Sequence, residues 1–214
     1  MGEKVTRDGF CMKVIPIKPF EAEPWLLHKH YARRMPSISY AFGLYEDGNL
    51  VGVCTYGMPA SNFLCNGVCG EKHRDKVIEL NRLCVETNTK NASSFLVGNS
   101  LKMLPKPKIV VSYADTAQNH VGYVYQATNF LFTGTTKERL DSIHEDGKHA
   151  RHGGGGKMKS IRSQKHRYVF FVGDKSQRKE FLKDLRFDIE SYPKGESLRY
   201  DTGENVKTQG MLFV

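Results

Sequence analysis

Nothing in this 214-residue chain approaches the run of roughly 18 apolar residues that a membrane-spanning helix needs, so no membrane partner is expected. The opening residues, MGEKVTRDGF, lack the apolar core of a secretory signal, which predicts a protein that stays in the cytoplasm where it is made. No internal repeat is visible, and that excludes a repeat array. Cysteines are few and odd in number: Cys11, Cys54, Cys65, Cys69 and Cys84 predict free thiols in a reducing compartment. Acids are missing altogether from Lys148 to Arg167, a stretch that holds Lys148, Arg151, Lys157, Lys159, Arg162, Lys165 and Arg167. These seven residues account for most of the net charge of +9. Such a block suits either a solvated segment or a flexible arm lying over phosphates, and its glycine break at Gly153 to Gly156 favours the arm. GGGGKM is not a nucleotide-binding P-loop, because no Ser or Thr follows the lysine and no strand precedes the glycines.

What is present reads as one α/β domain with a small extension; two full domains are not expected at this length. Strands are predicted at 12–17, 40–45, 50–56, 76–85, from 108, at 130–134 and at 167–172. Helices are predicted at 21–34, stopped by Pro36, at 93–104, stopped by Pro105, from 119, and at 176–187 behind a Ser176 cap. Residues 59–74 read as a long loop. The division expected is a core at 1–140, a basic Gly-rich loop at 141–168 and a strand-helix extension at 169–214.

The densest signal is Lys108 to Lys137. Asp115 falls just past the carboxyl end of an apolar strand, where open α/β sheets bind ligands. Tyr125 lies at the edge of a helical stripe with Val121, Val124 and Thr128, as a core aromatic or as a site group. Arg82 sits mid-strand between Leu80 and Cys84 and is expected on the face of both; it is either half of an ion pair with Glu79, Asp75 or Asp115, or a clamp for an anion or carbonyl. Cys65-x-x-x-Cys69-x-x-x-His73 puts three soft ligands close together, as an ordinary loop or as a zinc site closed by Cys54 or another group.

Three stretches in the same order resemble the Mom family of phage DNA-modification proteins: His30-Tyr31-x-Arg33-Arg34-Met35-Pro36, Glu79-Leu80-Asn81-Arg82-Leu83, and the run from Lys108 to Lys137. That family is similar to a branch of the GNAT acetyltransferase superfamily. The resemblance implies a GNAT-like mixed central sheet flanked by helices. It implies conversion of adenine in double-stranded DNA to an N6-carbamoylmethyl (acetamido-type) form that protects phage DNA from restriction, in the cytoplasm of a bacterial host. It also implies a catalytic site of His30, Tyr31, Arg82, Asp115 and Tyr125, with Asp115 or His30 as base and Tyr125 as acid at a leaving thiol. Iron bound by His30 and Asp115 is suggested too, although two protein ligands alone make a poor metal site.

In the superfamily a glycine-containing loop cradles the pyrophosphate of acetyl-CoA at a helix start. Here Thr87 to Ala92 keeps only the final alanine, so Lys90, Asn91, Ala92 and Ser93 either meet acetyl-CoA or another CoA-type donor, or form a plain helix cap. Plain acetyl transfer would give an amide, so the family product needs another donor or a later amination. The expected partner is double-stranded DNA, met by the seven basic residues, with a homodimer allowed for. Two rivals stand beside this reading: a conventional N-acetyltransferase for a protein or small-molecule amine, and a nucleic-acid-binding module without activity.

Overall fold

Strands follow the alternating and β-branched runs. The computed structural model describes residues 3–5, 9, 11–143 and 158–195. Glu3–Val5 (β1), Cys11–Ile17 (β2), Tyr40–Glu46 (β3), Asn49–Gly57 (β4), Val77–Val85 (β5), Lys108–Asp115 (β6), Leu131–Thr135 (β7) and Lys165–Val172 (β10) form one sheet in the order β1-β2-β3-β4-β5-β6-β10-β7. Arg139–Ile143 (β8) and Met158–Arg162 (β9) make a separate two-stranded ribbon. Helices cover both faces of the large sheet. Ala92–Met103 (α3) buries Leu96, Val97 and Leu101 with Phe42, Tyr56 and Phe130 on one face. On the other, Asn62–Cys69 (α2) and Lys175–Asp184 (α5) pack Val68, Cys69 and Phe181 against Ile109, Val111 and Phe171. The expected mixed sheet flanked by helices is therefore the observed architecture.

One joint shapes the molecule. β5 and β6 are parallel neighbours, yet their register covers only Val77↔Ile109, Ile78↔Val110 and Glu79↔Val111. Beyond that point the strands part towards their carboxyl ends, and the Ser112 hydroxyl donates to Leu80 O at 2.9 Å where a ladder bond would continue. The register between β4 and β5 shifts at Thr55/Tyr56, and a bulge bends the strand that carries it. This bulge also corrects the expected face of Arg82. Leu80 packs in the α3 cluster and Cys84 in a separate cluster with Trp25 and Val53, so Arg82 shares a face with Cys84 and not with Leu80.

Four further expectations change. The first helix does not reach Arg34: Pro19–Pro24 (α1) passes into a π-turn at Trp25–Lys29, and His30 is already extended. Pro24 lacks the N–H that would bond one turn back, which breaks the regular ladder there. Residues 62–76 are not a loop but α2 followed by a 3-10 turn at Glu71–Lys76. The helix placed from 119 is the short Tyr123–Ala127 (α4), preceded by a 3-10 turn at Thr116–Gln118. Finally, α5 is capped by Asp174 in a reciprocal box with Gln177, not by Ser176.

The boundary at 168/169 does not divide core from extension. Residues 165–172 are β10, which lies between β6 and β7 and pairs with both. Past α5 the chain returns along β7, where Glu190 N–H donates to Phe132 O at 2.9 Å and Tyr192 to Phe130 O at 2.7 Å.

Candidate active site at the parting of two strands

The gap that opens beyond Glu79 and Val111 gathers side chains from both faces of the sheet. The π-turn delivers His30 and Tyr31 to its rim, their rings stacked with centroids 4.4 Å apart. The following segment is held by the bulge: Asn81 accepts from Thr55 Oγ1 at 2.7 Å and donates to Ser37 O at 2.8 Å. Gly57 is required at this crossing, because a Cβ there would stand 1.9 Å from Ser37 O.

His30 is 6% exposed, and Ala32 N–H donates to its Nδ1 at 3.0 Å. Burial first, then the charges of Arg82, His120 and Arg34, push its pKa down to about 3. The neutral ring with Nδ1 accepting carries its proton on Nε2. His30 thus offers the site an N–H donor and is neither a base nor a ready metal ligand. Burial and then the Asp115 carboxylate raise the Tyr31 hydroxyl, with Arg82 and Arg34 opposing and Glu79 adding to the rise. The guanidinium of Arg82 donates from Nη1 to Asn81 O at 2.6 Å, while its buried Nε has no hydrogen-bond partner. Among the described residues no carboxylate lies within ion-pair distance of Arg82, so the ion-pair reading fails. Desolvation and Arg34 lower its pKa, against Tyr31 and Glu79.

Tyr125 reaches the gap from the α4 side. It packs on Phe130 and Tyr168, at 5.4 and 5.1 Å between ring centroids. Burial raises its pKa, a hydrogen bond with Ser112 works against the rise, and Tyr31 and Glu79 add to it. Tyr125 is therefore both a core aromatic and a protonated hydroxyl facing the gap.

Asp115 joins the same group electrostatically but is fully engaged. Its Oδ1 accepts from Ser163 at 2.6 Å and from Ala117 N–H at 3.0 Å, and its Oδ2 meets Lys165 Nζ at 2.9 Å. Burial would raise its pKa, but the bonds from Ser163, Lys165 and Ala117 outweigh it and hold the carboxylate below its usual range. A carboxylate so satisfied is a weak base, and it ties the end of β6 to the start of β10.

Three groups act in the site that were not expected there, although Glu79 and Arg34 stand in the stretches that carry the family resemblance. Glu79 stands at the last paired position of the parting strands and acts on Tyr31, Arg82, Tyr113 and Tyr125; its place three residues before Arg82 was the available signal. Arg34 and His120 both act on His30, and no spacing in the sequence announces either.

The loop expected to meet a CoA-type donor fits that group poorly. Asn91 takes a left-handed conformation with φ 65° and no side chain caps α3, which leaves the helix start open to an anion. Yet Thr87 and Thr89 both donate to the Glu46 carboxylate, so a pyrophosphate laid over them would face a negative charge. Lys90 is exposed, Ala92 is buried and Ser93 half-buried.

Iron at His30 and Asp115 is not supported, since Nδ1 of the first and both oxygens of the second are occupied. The zinc reading fails too. Cys54 packs on the α3 face and Cys65 and Cys69 on the other, while burial raises both thiols, Cys69 to about 12. His73 instead meets Asp184 at 2.8 Å beside Glu180, which Lys72 neutralises. Of the seven basic residues, Lys148, Arg151 and Lys157 lie outside the described residues. Lys159 and Arg162 are on β9, Lys165 holds Asp115, and Arg167 packs over Phe187 at 3.4 Å and donates to Thr133 O.

A mixed sheet whose two central parallel strands part over buried titratable groups defines an α/β protein with a built site at the switch between strands. The sequence model of the Mom protein family matches residues 11–194, and the chain belongs to that family. It is 28% identical over 204 residues to methylcarbamoylase mom of Escherichia phage Mu, covering 86% of this chain and 84% of that protein. Among solved structures it is similar to Arabidopsis thaliana NAA60 in complex with acetyl-CoA (12% identity, 75% of this chain, 98% of that one, TM-score 0.49). It is also similar to a GNAT-family acetyltransferase of Bacillus cereus (13% identity, 76% and 99%, TM-score 0.45). Likenesses of this depth carry no ligand or activity across.

Proposed function

We propose that this chain is a transferase that modifies adenine at N6 in double-stranded DNA, giving the N6-carbamoylmethyl form that its resemblance to the Mom family implies; membership of that family and the phage Mu relative named a methylcarbamoylase support a group transfer. The observation that carries the reading is the convergence of His30, Tyr31, Glu79, Arg82 and Tyr125 on the gap between β5 and β6. Adenine N6 is a poor nucleophile because its lone pair is delocalised into the ring, so its proton must leave as the new N–C bond forms and the bond from that carbon to its leaving group breaks. Asp115 is held by three donors, and we assign the base role to Glu79 from its place at the last paired position of the parting strands, beside Tyr31, Arg82 and Tyr125. The unpartnered Nε of Arg82 and the Nε2–H of His30 supply donors for a carbonyl or carboxamide oxygen of the transferred group. Tyr125 stays protonated and meets the leaving group. A CoA-type donor is what the resemblance to the GNAT superfamily suggests.

Mass analysis of nucleosides from DNA of cells making the protein tests the reading. A new deoxyadenosine derivative, in which a carbamoylmethyl group replaces one N6 hydrogen, is the expected result. Unmodified DNA together with acetylation of a protein or small-molecule amine would replace it with the acetyltransferase reading.

A further inference from the structure

Tyr125 reaches the gap on a helix that cannot hold itself. α4 is five residues long, Tyr123–Ala127, and none of its residues is fully buried. So short a helix has no stability of its own in water, and its angle is set by what grips it. No side chain caps its start at Gly122. The grip comes instead from the side-chain amide of Gln126, whose Nε2 donates to Val121 O at 2.9 Å, to the Tyr168 hydroxyl at 3.3 Å and to Pro193 O at 3.3 Å. One amide group thus serves three acceptors, on the approach to α4, on β10 and on the chain that returns past β7.

The acceptors are themselves fixed. Tyr168 is fully buried, and its hydroxyl donates to Val121 O. Gly122, with φ 76°, lies against the same ring, where a Cβ would stand 2.5 Å from it, so only glycine fits. The Tyr123 hydroxyl donates to Gly195 O, a second tie between α4 and the returning chain. Tyr125 packs on Tyr168 at 5.1 Å, so the ring that Gln126 bonds is the ring that Tyr125 leans on. Neighbouring helical residues point about 100° apart, which turns Gln126 aside from the gap that Tyr125 enters.

We infer that Gln126 is a positioning residue for the transfer: its amide joins Val121, Tyr168 and Pro193 and thereby sets the angle at which the Tyr125 hydroxyl enters the gap. This rests on the proposed place of Tyr125 beside the leaving group. An acid must stand within hydrogen-bond reach of the atom it serves, and a misplacement of roughly 1 Å costs up to about 100-fold in rate. Ser112 meets the Tyr125 hydroxyl at the parting of the strands, and Gln126 fixes the helix from which that hydroxyl hangs.

The test uses the full-length protein with Gln126→Met, which keeps the side chain's length and removes its donors, alone and in a Tyr125→Phe background. Tyr168→Phe, which takes a second member from the node and keeps its ring, is the parallel variant. Nucleoside mass analysis of duplex DNA gives kcat and KM. Each change is expected to lower kcat about tenfold with KM within about twofold, because a displaced acid loses rate and not binding. In the Tyr125→Phe background each should cost less than about twofold, since the group being placed is gone. Fluorine NMR of protein carrying fluorotyrosine reads the placement without turnover: the Tyr125 line, assigned by its absence from Tyr125→Phe, should shift or broaden in Gln126→Met. Equal kcat losses in both backgrounds, no kcat loss in either variant, or an unmoved Tyr125 line would overturn the positioning role and leave the adenine reading intact. Parent protein that modifies no DNA would overturn the adenine reading, and the Tyr125 line would still decide whether Gln126 places that residue.

Discussion

The large sheet and the small ribbon meet at Ser163 and Gln164, yet they treat charge and apolar surface in opposite ways. In the sheet, Asp115 has three donors and Leu80, Val110 and Phe130 are sealed under α3. In the ribbon, Arg139 lies opposite Arg162, and Leu140 and Ile161 stand opposite each other in water. The sheet seals its apolar side chains and leaves a buried donor, Arg82 Nε, open at the parting of its strands. The ribbon does the reverse and leaves its apolar pair exposed.

Changes in the sheet's site should break chemistry without touching association. Glu79→Gln is expected to lower adenine modification by about 100-fold or more, the range of a positioned general base, with DNA affinity unchanged in a filter or anisotropy assay. A parallel loss of affinity would move Glu79 from chemistry to binding.

Acid should act through His30 at the rim of the gap. His30 binds its proton less readily folded than unfolded, so between pH 6.5 and about 3 the unfolded chain holds more protons and stability falls as pH falls. By pH 4 this amounts to about 3 kcal/mol at roughly 1.4 per unit. Denaturant melts at pH 7 and pH 4 should show that loss shrinking in His30→Gln. Asp115 adds its own loss only as pH falls below its unfolded value of 3.8, so a melt at pH 4 lies above its window.

Asp115→Asn probes the join itself. The amide can still accept from Ser163 or Ala117 but leaves Lys165 without its carboxylate, at a cost of about 2 kcal/mol in unfolding experiments. A pure rate loss at unchanged stability would restore Asp115 as the base.

The gentlest change is to the ribbon's charge. Arg139, Lys159 and Arg162 replaced together by Ala should reduce the slope of log affinity against log salt by roughly 2 to 3, at about 0.9 per phosphate contact. The melting temperature should hold. An unaltered slope would make these residues solvated surface.

How far the sequence disclosed this plan depended on distance along the chain. Ile109 to Val111 and the 93–104 helix were legible because period and punctuation are local. α2 carried its signal in Cys65, Val68 and Cys69 at helical spacing, but Asn, Gly and Pro around it read as loop. Arg82's face was lost because a bulge leaves no mark on a period of two. The His30, Tyr31, Arg82 and Tyr125 grouping came from resemblance, and the structure does bring them together. The saturation of Asp115 could not be read locally, since Ser163 and Lys165 lie far along the chain.

The position of β10 has a consequence for how the protein comes into being. Among the described residues β7 pairs with no strand but β10, and the outer edge of β6 is covered by the same strand. A nascent chain that has emerged only through β7 therefore leaves open the edges that β10 later covers, one of them on the apolar run of β6. At a synthesis rate of about 5–20 residues per second, those edges wait for seconds until residues 165–172 arrive. The molecule's aggregation hazard belongs to that interval, and its last strand acts as the latch that ends it.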